Sequence, residues 1–194
     1  MSEQFSLDGF AEPVVTDRLF LALLPDAQNA ESITRLTQGL RAECNLKGKP
    51  IAAERLHVTL YFLGDFAGLP QGIVERTNRA ASALAVREFE VVLDRVMSFK
   101  SKSGKSPFVL CGGDGVDALL AFQRALFLAM SKEGLKPADR ATSFTPHVTL
   151  LYDRHSVPQR EVEPISWRAN EFVLVRSAIG LNRYETIAHW PLGK

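Results

Sequence analysis

Leu56-His-Val-Thr-Leu-Tyr-Phe-Leu63 decides how this chain reads, because its tetrapeptide His57–Leu60 returns unchanged as His147–Leu150. The two copies take two of the four histidines in 194 residues and stand ninety positions apart. The stretch is rich in β-branched and aromatic residues and closes on Gly64-Asp65, the composition of a strand running into a turn. Side chains alternate faces along a strand. His57 and Thr59 therefore share one face and Val58 and Leu60 the other, and His147 and Thr149 are set out in the same way. Two such strands offer a single cleft an imidazole and a hydroxyl each.

Outward from the motifs, the same order of elements occurs twice. Arg18–Leu24 reads as a buried strand, and Asp26 is placed to cap a helix running to about Ala42, with Ala30, Ile33, Leu36 and Leu40 on one face. The first motif strand follows. A second helix is predicted over 70–85, with Ile73, Val74, Ala80, Ala81 and Leu84 inward. Glu88–Phe99 alternates as a long strand, with Phe89, Val91, Leu93 and Val96 inward, and Pro107–Cys111 is a short one. Asp117–Lys132 is an amphipathic helix carried by Leu119, Leu120, Phe122, Leu126 and Met130. After the second motif strand, two more strands are predicted near Glu171–Ile179 and Arg183–Trp190. Each half thus runs strand, helix, motif strand, a spacing compatible with internal duplication. Residues 1–17 read as a flexible N-terminal arm and 18–194 as one two-lobed domain.

Composition narrows the function. Lys and Arg total 23 against 22 Asp and Glu, a net charge of +1, which argues against a broad surface that neutralises long nucleic acid. A small or terminal anion gripped locally remains open. Cys44 and Cys111 have no metal-type spacing and read as reduced thiols. The first seventeen residues lack the apolar core of a signal peptide, and Leu19–Leu24 is too short to span a bilayer, so no membrane association and a cytoplasmic location are the expectations. The near-neutral balance favours a monomer, and no obligate protein partner is evident.

The chemistry follows from the residue types. Histidine titrates nearest neutrality, so of two opposed imidazoles one can accept a proton while the other donates. Threonine hydroxyls two residues along the same face suit the non-bridging oxygens of a phosphate. The set fits in-line attack at phosphorus. Either histidine alone is more often structural, and threonine is common in strands for its branching; the matched pair is what points to catalysis. Zinc is the competing chemistry, but threonine is not a usual ligand, and His155 or His189 would have to converge on the pair.

These motifs, at this separation, resemble the signature of the 2H phosphoesterase superfamily. Arg18-Leu-Phe20, Leu56, Phe62-Leu-Gly64, Phe144-Thr-Pro146, Tyr184 and Trp190-Pro-Leu192 are similar to the frame of its bacterial 2'-5' RNA ligase-like branch. The resemblance implies an α+β fold, bilobal with pseudo-twofold symmetry, in which antiparallel sheets line a central groove and helices lie outside. It implies metal-independent hydrolysis of RNA 2',3'-cyclic phosphate ends to 2'-phosphomonoesters, with no cofactor and with reverse 2'-5' ligation as the same chemistry run backwards. RNA ends or small cyclic-phosphate nucleotides would be the substrates. His57 would donate a proton to the leaving 3' oxygen, His147 would accept one from water, and Thr59 and Thr149 would bind the phosphate. Members of the branch often carry Arg five residues after the second His; here Tyr152 stands there and Arg154 is the nearest arginine. Tyr152 and Arg154 are thus candidate substrate contacts; Phe62 reads as a core residue or, as an aromatic beside the motif strand, as a third candidate contact to a nucleobase. Alternative readings are the same fold acting on an ADP-ribose cyclic phosphate, a 2'-5' oligonucleotide or a 3' RNA tail, or a non-catalytic binder of nucleotides or RNA ends.

Gly104-Lys105-Ser106 imitates the tail of a phosphate-binding loop, but Phe99 stands where the earlier Gly is required and a strand follows where a helix is needed. The basic run Lys100–Lys105 reads as a solvated hairpin loop or a basic lip for the RNA backbone. His155 and His189 have no motif around them and read as surface or structural residues.

Overall fold

The computed structural model describes residues 14–101, 104–113, 115–138, 144–181 and 183–193. The elements, in order, are β1 (Asp17–Leu23), α1 (Ala27–Glu43), β2 (Val58–Phe66), α2 (Gln71–Ser82), β3 (Phe89–Ser98) and β4 (Ser106–Cys111). They continue as α3 (Asp117–Lys132), β5 (His147–Asp153), β6 (Arg160–Ala169), β7 (Glu171–Ala178) and β8 (Arg183–Pro191). The strands form one open eight-stranded sheet in the order β6-β3-β4-β5-β2-β1-β7-β8, antiparallel throughout. The two motif strands sit at its centre and touch through a single register pair, Val58 with Val148. The sheet thus divides into two four-stranded lobes, β6-β3-β4-β5 and β2-β1-β7-β8, each with its motif strand at that seam.

The helices lie on one face and tie the lobes together. Asp26 caps α1 by accepting from Asn29 N at 2.8 Å, and α1 lies against β5 and β6 of the opposite lobe. Helix α3 packs on α2, on β3 and across the seam on β2. One continuous core fills this side: Leu19, Leu21 and Leu23 of β1, Ile33 and Leu40 of α1, Leu93, Phe108 and Leu110, and Leu119, Phe122, Leu126 and Met130 of α3. Each fully buried side chain of this size contributes about 1.5–3 kcal/mol of transfer free energy. The other face carries the groove. On β1 it presents Arg18, Phe20 and Ala22, because Leu19, Leu21 and Leu23 point into the core.

Two expectations are corrected. The arm read over 1–17 is shorter at its end, since Asp17 opens β1, is 2 % exposed, and accepts from Arg176 at 2.6 Å and from Thr16 at 2.6 Å. Residues 1–13 lie outside the described residues. The strand β6 was not anticipated at all. Pro164 and a run of charged side chains hide it, and both are tolerated because β6 is an edge strand with only β3 as a neighbour. The predicted parity of β3 holds, with Val91, Leu93 and Val96 fully buried. A bulge between Leu93 and Arg95 explains why the last interval is three residues instead of two. No helix among the described residues is long and apolar enough to cross a membrane.

Candidate active site

The seam places the four motif side chains. Val58 and Val148 are fully buried toward the helices, so the residues on either side of each turn to the groove. In an antiparallel register with 58 opposite 148, His57 lies across from Thr149 and Thr59 across from His147. The two imidazoles are then diagonal neighbours across the seam, with a hydroxyl beside each. All four residues are partly exposed.

Each histidine is oriented by the same device. His57 Nδ1 lies 2.7 Å from the carbonyl of Arg55, and His147 Nδ1 lies 2.8 Å from the carbonyl of Thr145, both two residues upstream. A carbonyl only accepts, so each Nδ1 carries the hydrogen, and the neutral ring presents Nε2 as its acceptor. The rings are further held by aromatic neighbours. Phe20 stacks tilted on His57 with centroids 4.8 Å apart and Tyr184 meets it edge-on at 5.5 Å, while Phe99 meets His147 edge-on at 4.9 Å. Burial lowers the pKa of both imidazoles, opposed by the carbonyl bond; at His57 the neighbouring His147 and Arg55 lower it further.

Bulges decide which residues follow the motifs into the groove. In β2 the register against β1 slips between Tyr61 and Thr59, so Leu60 and Tyr61 are both buried and Phe62 turns to the groove. In β5 the register against β4 slips between Leu151 and Thr149, so Leu150 and Leu151 are both buried and Tyr152 turns out. Phe62 and Tyr152 therefore occupy matching places, five residues after their histidines. Each bulge is secured through a carbonyl: Gln123 donates to Leu60 O at 3.4 Å, and Ile51 N donates to Leu150 O at 2.7 Å. Asp153 then anchors the end of β5 by accepting from the backbone N–H of Lys47, Gly48 and His155 at 2.5, 2.6 and 2.8 Å. Those bonds hold its carboxyl below the usual carboxylate range, that of His155 most strongly.

The two lobes line the groove differently. On the His57 side the floor is apolar and aromatic: Phe20, Ala22, Val173 and Val175 are buried, with Phe62 and Tyr184 partly so. Arg18 lies over the Phe62 ring at 5.4 Å and binds Asp65 through both carboxylate oxygens at 2.7 and 2.8 Å. Arg55 lies over the Tyr184 ring at 4.7 Å. On the other side a cavity of about 520 Å³ opens beside His147, lined by Met97, Ser98, Phe99, Lys100 and Thr145. Cys111 is paired with His147 across β4 and β5 and is buried, which raises its thiol pKa.

The sequence-derived candidates sort as follows. His57, Thr59, His147 and Thr149 converge, Phe62 and Tyr152 flank them, and Arg154 lies exposed just beyond β5. Of the basic run, Lys100 reaches the His147 cavity, and residues 102 and 103 lie outside the described residues. His189 instead faces Glu171 at 3.1 Å on the edge strand, and His155 is exposed past the end of β5. Sequence reasoning missed Phe99 and Arg55 altogether. Phe20 and Tyr184 entered only as parts of a family frame. Strand pairing is the signal that would have found them, because β1 looks uniformly apolar and so conceals that Phe20 faces the groove.

Comparison with known proteins agrees with this geometry. The family model for the 2'-5' RNA ligase superfamily matches residues 8–180. E. coli LigT in its apo form is 25% identical, covers 93% of this chain and 100% of its own, and superposes with a TM-score of 0.68. TT0787 of Thermus thermophilus is 20% identical with a TM-score of 0.72, over 91% of this chain and 99% of its own, and shares the fold. A crystal structure described as a phosphoesterase is 23% identical over 92% of this chain and 99% of its own, with a TM-score of 0.69. No curated protein matches the chain. With the family model spanning most of its length and the paired histidine strands at the centre of its sheet, the chain belongs to the 2'-5' RNA ligase superfamily, as a 2H phosphoesterase of the LigT type.

Proposed function

We propose that this protein hydrolyses the 2',3'-cyclic phosphate at RNA ends to a 2'-phosphomonoester, without a metal, by proton transfer between two histidines. The observation that carries the reading is the matched orientation of the imidazoles, each with Nδ1 on a carbonyl and Nε2 left for the groove between them. His147 takes a proton from water as the water oxygen bonds to phosphorus. The bond from phosphorus to the 3' oxygen breaks, and protonated His57 gives that oxygen its hydrogen. Thr59 and Thr149 donate to the non-bridging oxygens as charge builds on them. Both proton transfers are thus supplied by side chains. Phe62 and Tyr152 contact the nucleotide, with Arg154 just past the end of β5. The site lies within a single two-lobed domain, which is expected to act as a monomer.

Family membership supports phosphoester hydrolysis or ligation in general. E. coli LigT has been crystallised with 3'-AMP and with ATP, and we extend nucleotide binding to this chain. The cavity beside His147 is far larger than a water needs, which favours a second reading of the same site: a 5'-hydroxyl nucleoside seated there as nucleophile would form a 2'-5' linkage. An oligonucleotide ending in a 2',3'-cyclic phosphate, incubated with the protein in excess chelator, tests the proposal. The expected product carries its phosphate on the 2' oxygen, at a rate the chelator leaves unchanged. A 3'-phosphate product, loss of activity in chelator, or binding without turnover would each contradict it.

A further inference from the structure

We infer that the pocket at the Arg18 end of the groove is a second anion site, which takes the phosphate on the 5' side of the terminal nucleotide. The inference rests on the proposed phosphodiesterase reading and names the substrate class: polynucleotide ends in preference to bare nucleoside cyclic phosphates. The pocket has a volume of about 170 Å³ and is lined by Arg18, Arg55 and the segment Ser177–Gly180, where β7 turns toward β8. Among the described residues, no carboxylate lines it. Arg55 is two residues upstream of His57, and its guanidinium carbon lies 4.7 Å from the centre of the Tyr184 ring, which itself touches His57. Arg18 lies over Phe62 and is fixed by Asp65, which takes two of the five N–H donors of the guanidinium. Both guanidinium groups are therefore held in place before a ligand arrives, so little side-chain freedom is lost on binding a forked acceptor such as phosphate.

The placement matches a nucleotide chain. Arg18 is two residues along β1 from Phe20, about 7 Å of strand, and Phe20 packs directly on His57. The floor between the pocket and the histidines is the aromatic surface of Phe20, Phe62 and Tyr184. A terminal nucleoside lying over that floor, with its cyclic phosphate at the histidine pair, directs its 5' oxygen toward the two arginines. The other lobe has no such arrangement at its cavity, where Lys100 is the one lysine or arginine among the described residues of the lining.

The test compares kcat/KM for adenosine 2',3'-cyclic phosphate with that for the same compound bearing a 5'-phosphate. The wild type is expected to prefer the 5'-phosphorylated substrate at least about tenfold, mostly through KM, with the preference eroding as salt is raised. In Arg55→Gln the ratio between the two substrates should fall toward one, and Arg55→Lys should restore part of it. Ser177→Glu puts a negative charge into the pocket while leaving both arginines in place, and should push the ratio below one; it keeps the test valid if Arg55→Gln fails to fold. Equal turnover of both substrates by the wild type, or a ratio unmoved by both variants, would overturn this inference alone. Turnover of neither substrate would overturn the hydrolytic reading and this inference with it.

Discussion

His57 and His147 are alike in backbone device and unlike in surroundings. Both donate Nδ1–H to a carbonyl two residues upstream, and burial lowers the pKa of each. For an acid–base couple the competent free enzyme has one ring protonated and the other neutral, so kcat/KM is bell-shaped and centred between the two pKa values. Both lie below the ordinary histidine value of about 6.5, so the maximum of kcat/KM is expected on the acidic side of 6.5. A maximum at or above pH 7.5 would contradict the burial argument. The motif residues were legible from the repeat alone, because alternation on a strand is a local property. Phe20, Tyr184 and Phe99 were not, because their contact with the histidines depends on which strands pair.

At the scale of elements, helix α3 was read to its end residues, since a core stripe of Leu119, Phe122, Leu126 and Met130 at helical spacing leaves little choice. The bulges at Leu60–Tyr61 and Leu150–Leu151 were invisible, because strict alternation would have sent Tyr61 and Leu151 into the groove. They are imposed by partners distant in sequence: α3 for one, and the segment before Ile51 for the other. That segment crosses β5 so closely that a Cβ on Gly48 would overlap the Tyr152 carbonyl, which is backbone and cannot step aside. Gly48→Ala is therefore expected to destabilise the fold by about 1–3 kcal/mol, read from denaturant unfolding. It should also weaken substrate binding through the displaced Tyr152. Wild-type stability in that variant would show that the approach is not a constraint.

For the whole molecule, the shape depends on a sheet almost divided at its centre and rejoined by helices. The motif strands meet only at Val58 with Val148; the lobes are also joined by the bridge of Arg87 with Gly193, and α1 and α3 each pack across to the opposite one. The groove lies at this seam, and α1 and α3 bridge it from the other face of the sheet. At the far end of β1, Asp17 is almost wholly buried against Arg176, and that ion pair, with the Thr16 hydroxyl, lowers its pKa. A depressed carboxylate pKa means that the unfolded chain binds the proton more readily. The stabilisation is present above the ordinary aspartate value of about 3.9 and is lost as pH falls through it toward the folded value. Asp17→Asn is accordingly expected to lower Tm at pH 7 and to flatten the fall of Tm between pH 5 and pH 3. An equally steep fall in the variant would place the acid-sensitive group elsewhere.

The two-histidine account is tested most directly by single-turnover cleavage of an oligonucleotide ending in a 2',3'-cyclic phosphate, with His57→Ala and His147→Ala compared with the wild type. General acid–base groups of this kind are worth about 10²–10⁴ in rate. Each variant is expected to lose that much in the chemical step while keeping the wild-type circular dichroism spectrum and melting cooperatively. A folded variant of either histidine that cleaves within about threefold of the wild-type rate would contradict the assignment of that residue, and with it the central claim.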